Sequence, residues 1–447
     1  MILTADFKKP LRPIGKLNGT NNGPLMNYTD RTAEYHDMGV DFVRFHETNA
    51  HDVKCVEVPF VFPDFDADEN DPANYYFAET DAVMQAAVDA GMEIMYRLGM
   101  GTEGTAPKLF VVVPKDYAKW ARICEHIIRH YNEGWADGFH FGIEYWEIWN
   151  EADIKPYWPG PREEYLKLYE VASNYLKGCF PNLKFGNCGW AGIKAHGYFA
   201  PDPKTVTPAE LADYEDRQKT YLRLFEMAKN GEAPLDFFAW HTYAVSSDKT
   251  ELRCKMICDM LKDYGLENTE VINTEWSSMS LSRDSHKRWD YSQLFQMHCA
   301  AALMTSMIVM QKHGVSKAAY YDADDRSNFC GLFDFDRKLP HYFGLKAFSM
   351  LRAGQTEVAT DGDSKTLRMC ASYNGKKAVL LLANEGETEK VTLKLENLPE
   401  SDYVVTVFDE THELKPVRRG RFTGKPLHMT VKKDSFAVVE FDCGEGR

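Results

Sequence analysis

The sequence predicts an α/β fold in which a (β/α)8 TIM barrel is followed by a C-terminal antiparallel β-sandwich. Apolar, β-branched segments alternate with amphipathic segments over about three quarters of the chain, as expected of parallel strands covered by helices. From about residue 356 the pattern changes to short alternating segments separated by Gly, Asn and Asp, which is typical of an antiparallel sandwich. The 447 residues are long enough for both units.

Eight segments have the composition of barrel strands, and several are apolar on both faces, as a barrel inside a helical layer requires. The predicted strands are Ile14–Asn18, Phe42–His46, Glu93–Leu98, Tyr145–Trp149, Lys184–Asn187, Phe237–Trp240, Glu270–Asn273 and Lys317–Tyr321. Helical patterns precede the last six strands: Asp81–Ala90, Asp116–Tyr131, Arg162–Gly178, Tyr214–Lys229, Leu252–Tyr264 and Tyr291–His313. We therefore assign the catalytic barrel to residues 14–352. The longest apolar run, Cys299–Met310, is too short to cross a bilayer and predicts a buried helix.

The β-sandwich is predicted over residues 353–447, and residues 1–13 are expected to add a strand to it. Six alternating segments are its predicted strands: Thr366–Tyr373, Ala378–Ala383, Val391–Leu395, Tyr403–Phe408, His428–Val431 and Phe436–Phe441. The sequence between the two units has no linker-like composition, so we expect the sandwich to dock on the barrel.

Charge and composition restrict the partners. The formal net charge is −15, from 52 basic and 67 acidic residues. This excess of acidic residues argues against nucleic acid or an anionic membrane as a partner, since both are bound through Lys and Arg. No apolar signal segment is visible at the N-terminus, and ten cysteines are scattered through mostly apolar segments. We expect reduced thiols and a cytoplasmic location, with an exported mature chain as the alternative.

Two predicted strands end in glutamates. Glu151 follows Asn150 at the end of the fourth strand, and Glu275 follows the seventh. Since the carboxyl ends of barrel strands meet at one face, the two carboxylates are expected to face each other there. Such a pair performs retaining glycoside hydrolysis, with Glu151 as the predicted acid/base and Glu275 as the predicted nucleophile. Glu144 and Glu147 compete for the acid role, but both lie within the strand, and we expect Glu147 to be a paired structural carboxylate.

Four short motifs resemble a known family. Trp146-Glu-Ile-Trp-Asn-Glu151 resembles the acid/base strand of clan A glycoside hydrolases. Asn273-Thr-Glu275-Trp-Ser-Ser resembles the nucleophile strand of glycoside hydrolase family 39, the β-xylosidase and α-L-iduronidase family. Arg44-Phe-His46 and His241-Thr-Tyr243 match two further positions of the clan. The matching segments span about residues 19–350, and the following sandwich fits the two-domain layout of that family.

The resemblance implies a role for each residue around the predicted nucleophile. Asn150 would hydrogen-bond the 2-hydroxyl of the reacting sugar. Tyr243 would hold Glu275 and steady its charge, while Arg44 would lie beneath it and keep it ionised.

Five further residues are candidates for substrate binding. The resemblance implies that His46 and His241 contact sugar hydroxyls or the acid/base region. Trp276, Tyr321 and Asp322 are added as substrate-binding candidates. Many clan members carry a tryptophan at the end of the eighth strand, where this chain has Tyr321 followed by Asp322. This difference leaves the two-carboxylate mechanism intact and leaves the identity of the sugar open.

The expected activity is retaining, exo-acting hydrolysis of a β-xyloside or a related pentoside, with a carbohydrate substrate and neither cofactor nor metal. Other sugars remain open: an arabinoside, a glucoside, a galactoside or a uronide. A metal-dependent barrel hydrolase with His46, His241 and Asp322 as ligands is one rival interpretation. A non-catalytic carbohydrate-binding protein on a hydrolase scaffold is another. The resemblance is compatible with a homo-oligomer.

Overall fold

The computed structural model describes residues 1–26, 29–50, 53–101, 113–155, 157–193, 204–279, 291–323 and 331–444. Within them, eight parallel strands close into a barrel, because the first strand pairs with both the second and the eighth. Numbered first to eighth along the chain, they are Lys16–Asn21, Phe42–Phe45, Glu93–Leu98, Tyr145–Ile148, Lys184–Gly186, Phe237–Tyr243, Glu270–Ser277 and Lys317–Tyr320. The predicted (β/α)8 barrel is confirmed.

Helices surround the barrel as the sequence predicts. They are Thr32–Met38, Val58–Val61, Ala78–Asp89, Tyr117–Glu133, Arg162–Cys179, Pro208–Lys229, Ser247–Asp263, Met297–Lys312 and Pro340–Arg352, with short 3-10 turns at Pro72–Asn74 and Tyr291–Phe295. The helix Pro208–Lys229 begins six residues before the predicted start, because Thr207 and Glu210 form a capping box around its first turn. Among the described residues, no helix combines the length and the apolar composition needed to cross a membrane.

A second sheet of nine strands, mostly antiparallel, curls around an apolar core of its own. The strand Ile2–Pro13 lies inside it, antiparallel to Thr356–Asp361 and parallel to Glu389–Glu396. The remaining strands are Leu367–Tyr373, Lys377–Asn384, Ser401–Asp409, His412–Phe422, Leu427–Val431 and Ser435–Asp442. The antiparallel sandwich-like unit is therefore confirmed.

The outer face of this sheet packs on the barrel helices. The helix Met297–Lys312 lies between the barrel and the sheet, and its apolar residues are buried on all sides. The buried helix predicted at Cys299–Met310 is thereby confirmed. Phe408 stacks between Phe343 and Phe436, with ring centroids 5.2 and 4.7 Å away. These contacts join the outer face of the sheet and the barrel layers in one apolar core.

A hydrogen bond to a helix end also ties the sheet to the barrel. The buried carboxylate of Glu385 accepts from the backbone N–H of Ser247 at 3.2 Å and from its hydroxyl at 2.6 Å. Ser247 begins the helix Ser247–Asp263, where a negative charge is favoured by the helix dipole. The sheet is thereby fixed beside the barrel helices that flank the seventh strand.

Short hairpins build up the carboxyl-terminal face of the barrel. The pairs Leu25–Met26 with Thr29–Asp30, Asn49–Ala50 with Val53–Lys54, and Phe333–Asp334 with Arg337–Lys338 follow the first, second and eighth strands. In a barrel of this kind, the loops after the strands form the binding face.

We expect truncation of Phe408 to alanine to destabilise the protein by about 3 kcal/mol, because it opens a cavity where sheet and barrel meet. The change should lower the Tm measured by differential scanning calorimetry. The matched control is Phe335→Ala, since the Phe335 side chain is 86% exposed and its removal opens no cavity. Equal Tm values for the two variants would contradict the proposed contribution of this contact.

Candidate active site

Glu151 and Glu275 lie together at the carboxyl-terminal face of the barrel. One carboxylate oxygen from each residue and one ring nitrogen of His241 all lie within 4.8 Å of one another. Both glutamate side chains are only 8% exposed. Retaining glycosidases have their two carboxylates about 5 Å apart. Inverting enzymes have a larger separation, because a water molecule must fit between the carboxylate and the sugar.

The backbone turns sharply where the fourth strand delivers Glu151. Trp149 and Glu151 have φ angles of 76° and 42°, in the left-handed region that side chains rarely adopt. Hydrogen bonds from their N–H groups to the carbonyls of Leu98 and Cys188, both 2.7 Å long, hold this turn. Gly99 has no side chain to obstruct it, because a Cβ there would lie 3.0 Å from the Cα of Trp149.

A β-bulge at Thr274 delivers Glu275. In the pairing with the sixth strand, Asn273 lies opposite Trp240 but Glu275 lies opposite His241, so Thr274 is the extra residue. The pairing with the eighth strand shifts in the same segment. The bulge turns both Thr274 and Glu275 towards the barrel interior, where an even strand would direct them to opposite faces.

The seventh strand therefore differs from the prediction. Its predicted end was Asn273, with Glu275 just beyond it, but the strand continues to Ser277. The sixth strand likewise continues to Tyr243. The site residues on these two strands consequently lie on rigid sheet rather than on loops.

Arg44 is the centre of the site's hydrogen-bond network, and it is fully buried. Its guanidinium donates to Glu147 Oε2 from Nε at 2.7 Å, to Asn21 Oδ1 at 2.9 Å, to Asn150 Oδ1 at 3.0 Å and to Glu275 Oε2 at 3.3 Å. Burial disfavours its charge, yet Glu147 and Glu275 outweigh that effect and raise the pKa of Arg44. Burial raises the pKa of Glu147, and Arg44 opposes this shift. Glu147 is thus a buried carboxylate paired with Arg44.

His46 directs an N–H towards the Glu275 carboxylate. Its Nδ1 accepts a hydrogen bond from Arg97 Nε at 3.0 Å, so the proton of the neutral ring is on Nε2. That N–H faces Glu275 Oε2 at 3.6 Å and Glu47 Oε1 at 3.9 Å. Burial, followed by the charges of Arg44 and Arg97, lowers the pKa of His46 far below its usual value.

His241 contacts the other carboxylate. Its Nδ1 lies 2.7 Å from Glu151 Oε1, and its Nε2 lies 3.1 Å from the hydroxyl of Thr274. The Thr274 hydroxyl donates to Glu147 Oε1 at 2.8 Å. Burial and the charge of Arg44 lower the pKa of His241 far below its usual value, so the ring is neutral.

Tyrosines form the remaining wall. The Tyr243 hydroxyl donates to Glu275 Oε1. The Tyr321 ring lies between those of His46 and Tyr243, with centroids 6.1 and 6.4 Å away, and Asp322 follows it in a buried position. Tyr321 thus lies just beyond the end of the eighth strand, beside two residues that face Glu275.

Trp276 does not join this group, contrary to its place among the substrate-binding candidates. It follows Glu275 directly on an even stretch of strand, so its side chain points to the opposite face. There it is 1% exposed and packs edge-on against Tyr320, in the layer between barrel and helices. Trp276 is a core residue.

The sequence reasoning missed two residues of the site. Asn21 holds Arg44, and its amide donates to the carbonyls of Thr274 and Ala319 at 3.0 and 2.9 Å. Asn21 is a polar residue at the carboxyl end of a barrel strand, and this is the same signal that pointed to Glu151. Thr274 could not have been found in this way, because threonine is common in strands and its partners Glu147 and His241 come from other strands.

The cluster of Glu151, His241 and Glu275 has the donor atoms of a metal site. Of the three ligands in the metal-dependent interpretation, only His241 belongs to it. The Arg44 guanidinium lies 3.3 Å from Glu275 Oε2, so a cation placed there would meet a permanent positive charge. This arrangement favours a carboxylate pair over a metal centre.

Comparisons with known proteins agree with this geometry. The model of glycosyl hydrolases family 39 matches residues 25–316. A β-xylosidase from Caldicellulosiruptor saccharolyticus is 20% identical over 433 residues, which cover 88% of this chain and 80% of the relative. A glucosidase structure from Croceicoccus marinus is 20% identical with a TM-score of 0.74, covering 99% of this chain and 98% of that one.

A monomeric β-xylosidase structure from Caulobacter crescentus is 14% identical with a TM-score of 0.70, and 99% of each chain is covered. At such identities the structural similarity demonstrates a common fold. The family match covers the second to seventh strands, and so includes both glutamates.

We expect Arg44→Met to lower the free energy of unfolding at about pH 7 by roughly 3–5 kcal/mol, because it leaves Glu147 buried without its cation. The folded-state pKa of Glu147 then lies above its unfolded value, so stability is lost as pH rises and recovered as pH falls. Urea unfolding at about pH 7 and about pH 5 should show the deficit shrink at the lower pH.

The control is Arg421→Met. The Arg421 side chain is 59% exposed and pairs with Asp402 on the surface, so its loss should change stability by less than about 1 kcal/mol. A deficit in Arg44→Met that is the same at both pH values would refute an uncompensated Glu147 as its cause.

Proposed function

We propose a retaining, double-displacement mechanism for this chain, which belongs to glycosyl hydrolases family 39 and is an O-glycosidase. The observation that carries the proposal is the unlike surroundings of two carboxylates at retaining distance. Arg44 and Tyr243 donate to Glu275, which suits an ionised nucleophile, whereas His241 adjoins Glu151.

In the first step, Glu151 gives its proton to the glycosidic oxygen while a Glu275 oxygen attacks the anomeric carbon. The bond to the leaving group breaks, and a covalent glycosyl–Glu275 ester forms with inverted configuration. In the second step, the Glu151 carboxylate takes a proton from water as the water oxygen attacks the same carbon. The ester bond breaks, Glu275 leaves as a carboxylate, and the second inversion restores the configuration.

Asn150 is the proposed donor to the sugar. Its Oδ1 is fixed by Arg44, and this orients the amide so that Nδ2 is the group left for a ligand. Nδ2 is buried and has no hydrogen-bond partner among the described residues. A buried donor without a partner is costly, and a substrate hydroxyl would satisfy it. Arg44 contacts both Asn150 and Glu275, and this supports the 2-hydroxyl of the reacting sugar as that partner.

The proposed substrate is a neutral glycoside, cleaved from its non-reducing end, with a β-xyloside or related pentoside first. The β-xylosidase relative supports this choice, and the similar glucosidase structure keeps hexosides as the alternative. Among the described residues beside the site, Lys54 binds Glu47 at 3.2 Å and Arg97 faces Glu57 at 3.4 Å. These cations are already paired, which favours a neutral sugar over a uronide.

We expect Glu275→Gly to abolish turnover and azide to restore it, yielding a glycosyl azide of inverted configuration. Glu151→Ala should lower kcat/KM by about 10²–10⁴-fold on substrates with poor leaving groups, since these need general acid help. On 2,4-dinitrophenyl glycosides, Glu151→Ala should form the glycosyl-enzyme rapidly and accumulate it, as mass spectrometry of the intact protein can detect.

Glu144→Gln is the matched control for this pair. Glu144 belongs to the same motif, but it lies at the opposite end of the fourth strand, 47% exposed and paired with Lys184. It should retain wild-type turnover. Wild-type activity in Glu275→Gly, or loss of activity in Glu144→Gln alone, would overturn the assignment.

A panel of p-nitrophenyl α- and β-glycosides of pentoses and hexoses should identify the sugar, with the β-xyloside turned over fastest. Dialysis against a chelator should leave turnover unchanged, since the proposed step uses two carboxylates. Activity lost on chelation and restored by zinc or manganese would favour a metal site at Glu151, His241 and Glu275. Binding without turnover across the panel would favour a carbohydrate-binding protein.

A further inference from the structure

A hydrogen-bonded chain of four side chains runs from the buried ion pair to Glu151. Glu147 Oε1 accepts from the Thr274 hydroxyl at 2.8 Å, and the Thr274 oxygen lies 3.1 Å from His241 Nε2. His241 Nδ1 lies 2.7 Å from Glu151 Oε1. Thr274 and His241 are buried, so water does not compete readily for these contacts.

The protons in this chain can be assigned from its charged end. Arg44 lies against Glu147 Oε2, with Nη2 at 2.6 Å and Nε at 2.7 Å, and its permanent charge favours the ionised carboxylate. An ionised Glu147 only accepts, so the Thr274 hydroxyl donates its single proton to it. The remaining lone pairs of that oxygen then accept, and His241 Nε2 must be the donor.

The tautomer of His241 determines where the proton of Glu151 lies. A neutral imidazole has one N–H, so a proton on His241 Nε2 leaves only a lone pair on Nδ1. Two lone pairs cannot share a 2.7 Å contact, and Glu151 Oε1 must therefore carry the proton. The opposite arrangement would place a proton on Glu147, where the Arg44 charge disfavours it.

We infer that Thr274 is a positioning residue that fixes the His241 tautomer and thereby holds the acid proton on Glu151. This inference rests on the proposed role of Glu151 as the acid/base. The same tautomer serves both steps of the reaction. In the second step the His241 lone pair faces the Glu151 carboxylate, which makes that carboxylate a stronger base towards water.

The local backbone supports a fixed role for this contact. Thr274 faces the barrel interior in alternation with Ile272, and the bulge brings Glu275 to the same face beside it. On the other side of the ring, a Cβ at Gly189 would lie 2.2 Å from His241 Nε2, and Gly189 has a φ of 58°. The ring is thus enclosed closely, and Thr274 is positioned to accept its Nε2–H.

Other titratable groups surround the Glu151–His241 pair, and Glu147 among them accepts from the Thr274 hydroxyl. Among the described residues they are Arg44 and His46 of the second strand segment, Glu147 of the fourth, Cys188 after the fifth, Tyr243 of the sixth and Glu275 of the seventh. A change confined to the Thr274 hydroxyl leaves all of these in place. The effect of removing this hydroxyl on the pH dependence of kcat/KM therefore indicates which tautomer His241 adopts.

The test compares Thr274→Val, which keeps the β-branched shape without the hydroxyl, with Thr274→Ser, which keeps the hydroxyl. In Thr274→Val, His241 is free to move its proton to Nδ1 and donate it to an ionised Glu151. The alkaline limb of kcat/KM for a poor leaving group should then shift to lower pH by about one unit, the effect of roughly one hydrogen bond. Thr274→Ser should keep the wild-type limb.

A stability loss in Thr274→Val does not count as support, because Glu147 also loses a donor. The decisive kinetic result is the pH shift in Thr274→Val without one in Thr274→Ser. Superimposed profiles for wild type and Thr274→Val would overturn the inference. With a 2,4-dinitrophenyl leaving group, which needs no acid, the first step in Thr274→Val should keep the wild-type rate at every pH.

A second measurement needs no turnover. ¹⁵N NMR of histidine-labelled wild-type protein, with the His241 signal assigned by its absence in His241→Asn, should show a neutral ring protonated on Nε2. A His241 ring protonated on Nδ1, or on both nitrogens, would contradict the inferred tautomer, and this result can be obtained even if Thr274→Val fails to fold. Failure of the proposed function would be distinguishable, because Glu275→Gly would then keep its turnover whatever tautomer His241 has.

Discussion

The buried charge of Arg44 is the constraint on which the rest of the site depends. A guanidinium without solvent must be fully paired, so Arg44 draws oxygens from the first, fourth and seventh strands towards one point. These are the strands that carry Asn21, Glu147 and Glu275. The pairing therefore fixes how the ends of the fourth and seventh strands face each other. It also gives Glu275, and not Glu151, a hydrogen bond from Arg44.

The nine-stranded sheet of the second unit stabilises this arrangement without contacting Arg44 through any described residue. It covers the helix Met297–Lys312, which follows the seventh strand and would otherwise expose an apolar face. Glu385, directly after the sheet strand Lys377–Asn384, accepts from Ser247 at the beginning of the helix that leads into the seventh strand. Both connections of the strand that carries Glu275 are thus held by the second unit, and this gives the sheet a structural role in addition to any contact with substrate.

The sequence allowed the barrel and most of the site to be predicted, because strand composition and polar strand ends are local signals. Glu151 and Asn150 follow from that rule, whereas Arg44 was predicted from the resemblance to glycoside hydrolase family 39. The exposed, basic strand His412–Phe422 was missed since its pattern is that of a solvated edge, and only pairing with Ser401–Asp409 makes it a strand. The position of Glu275 on the same face as Thr274 depends on register against two neighbouring strands, which the sequence of one strand does not contain.

The bulge at Thr274 places two consecutive residues of the seventh strand in the site. Without the bulge, Thr274 and Glu275 would face opposite sides of the seventh strand, and only one of them could reach the barrel interior. With it, Glu275 meets Arg44 and Tyr243, while Thr274 meets Glu147 and His241. In the proposed mechanism, consecutive residues thus control the charge of the nucleophile and the proton of the acid. A pair of carboxylates so close together would otherwise repel one another if both were ionised, so a device that keeps one protonated is a requirement of their spacing.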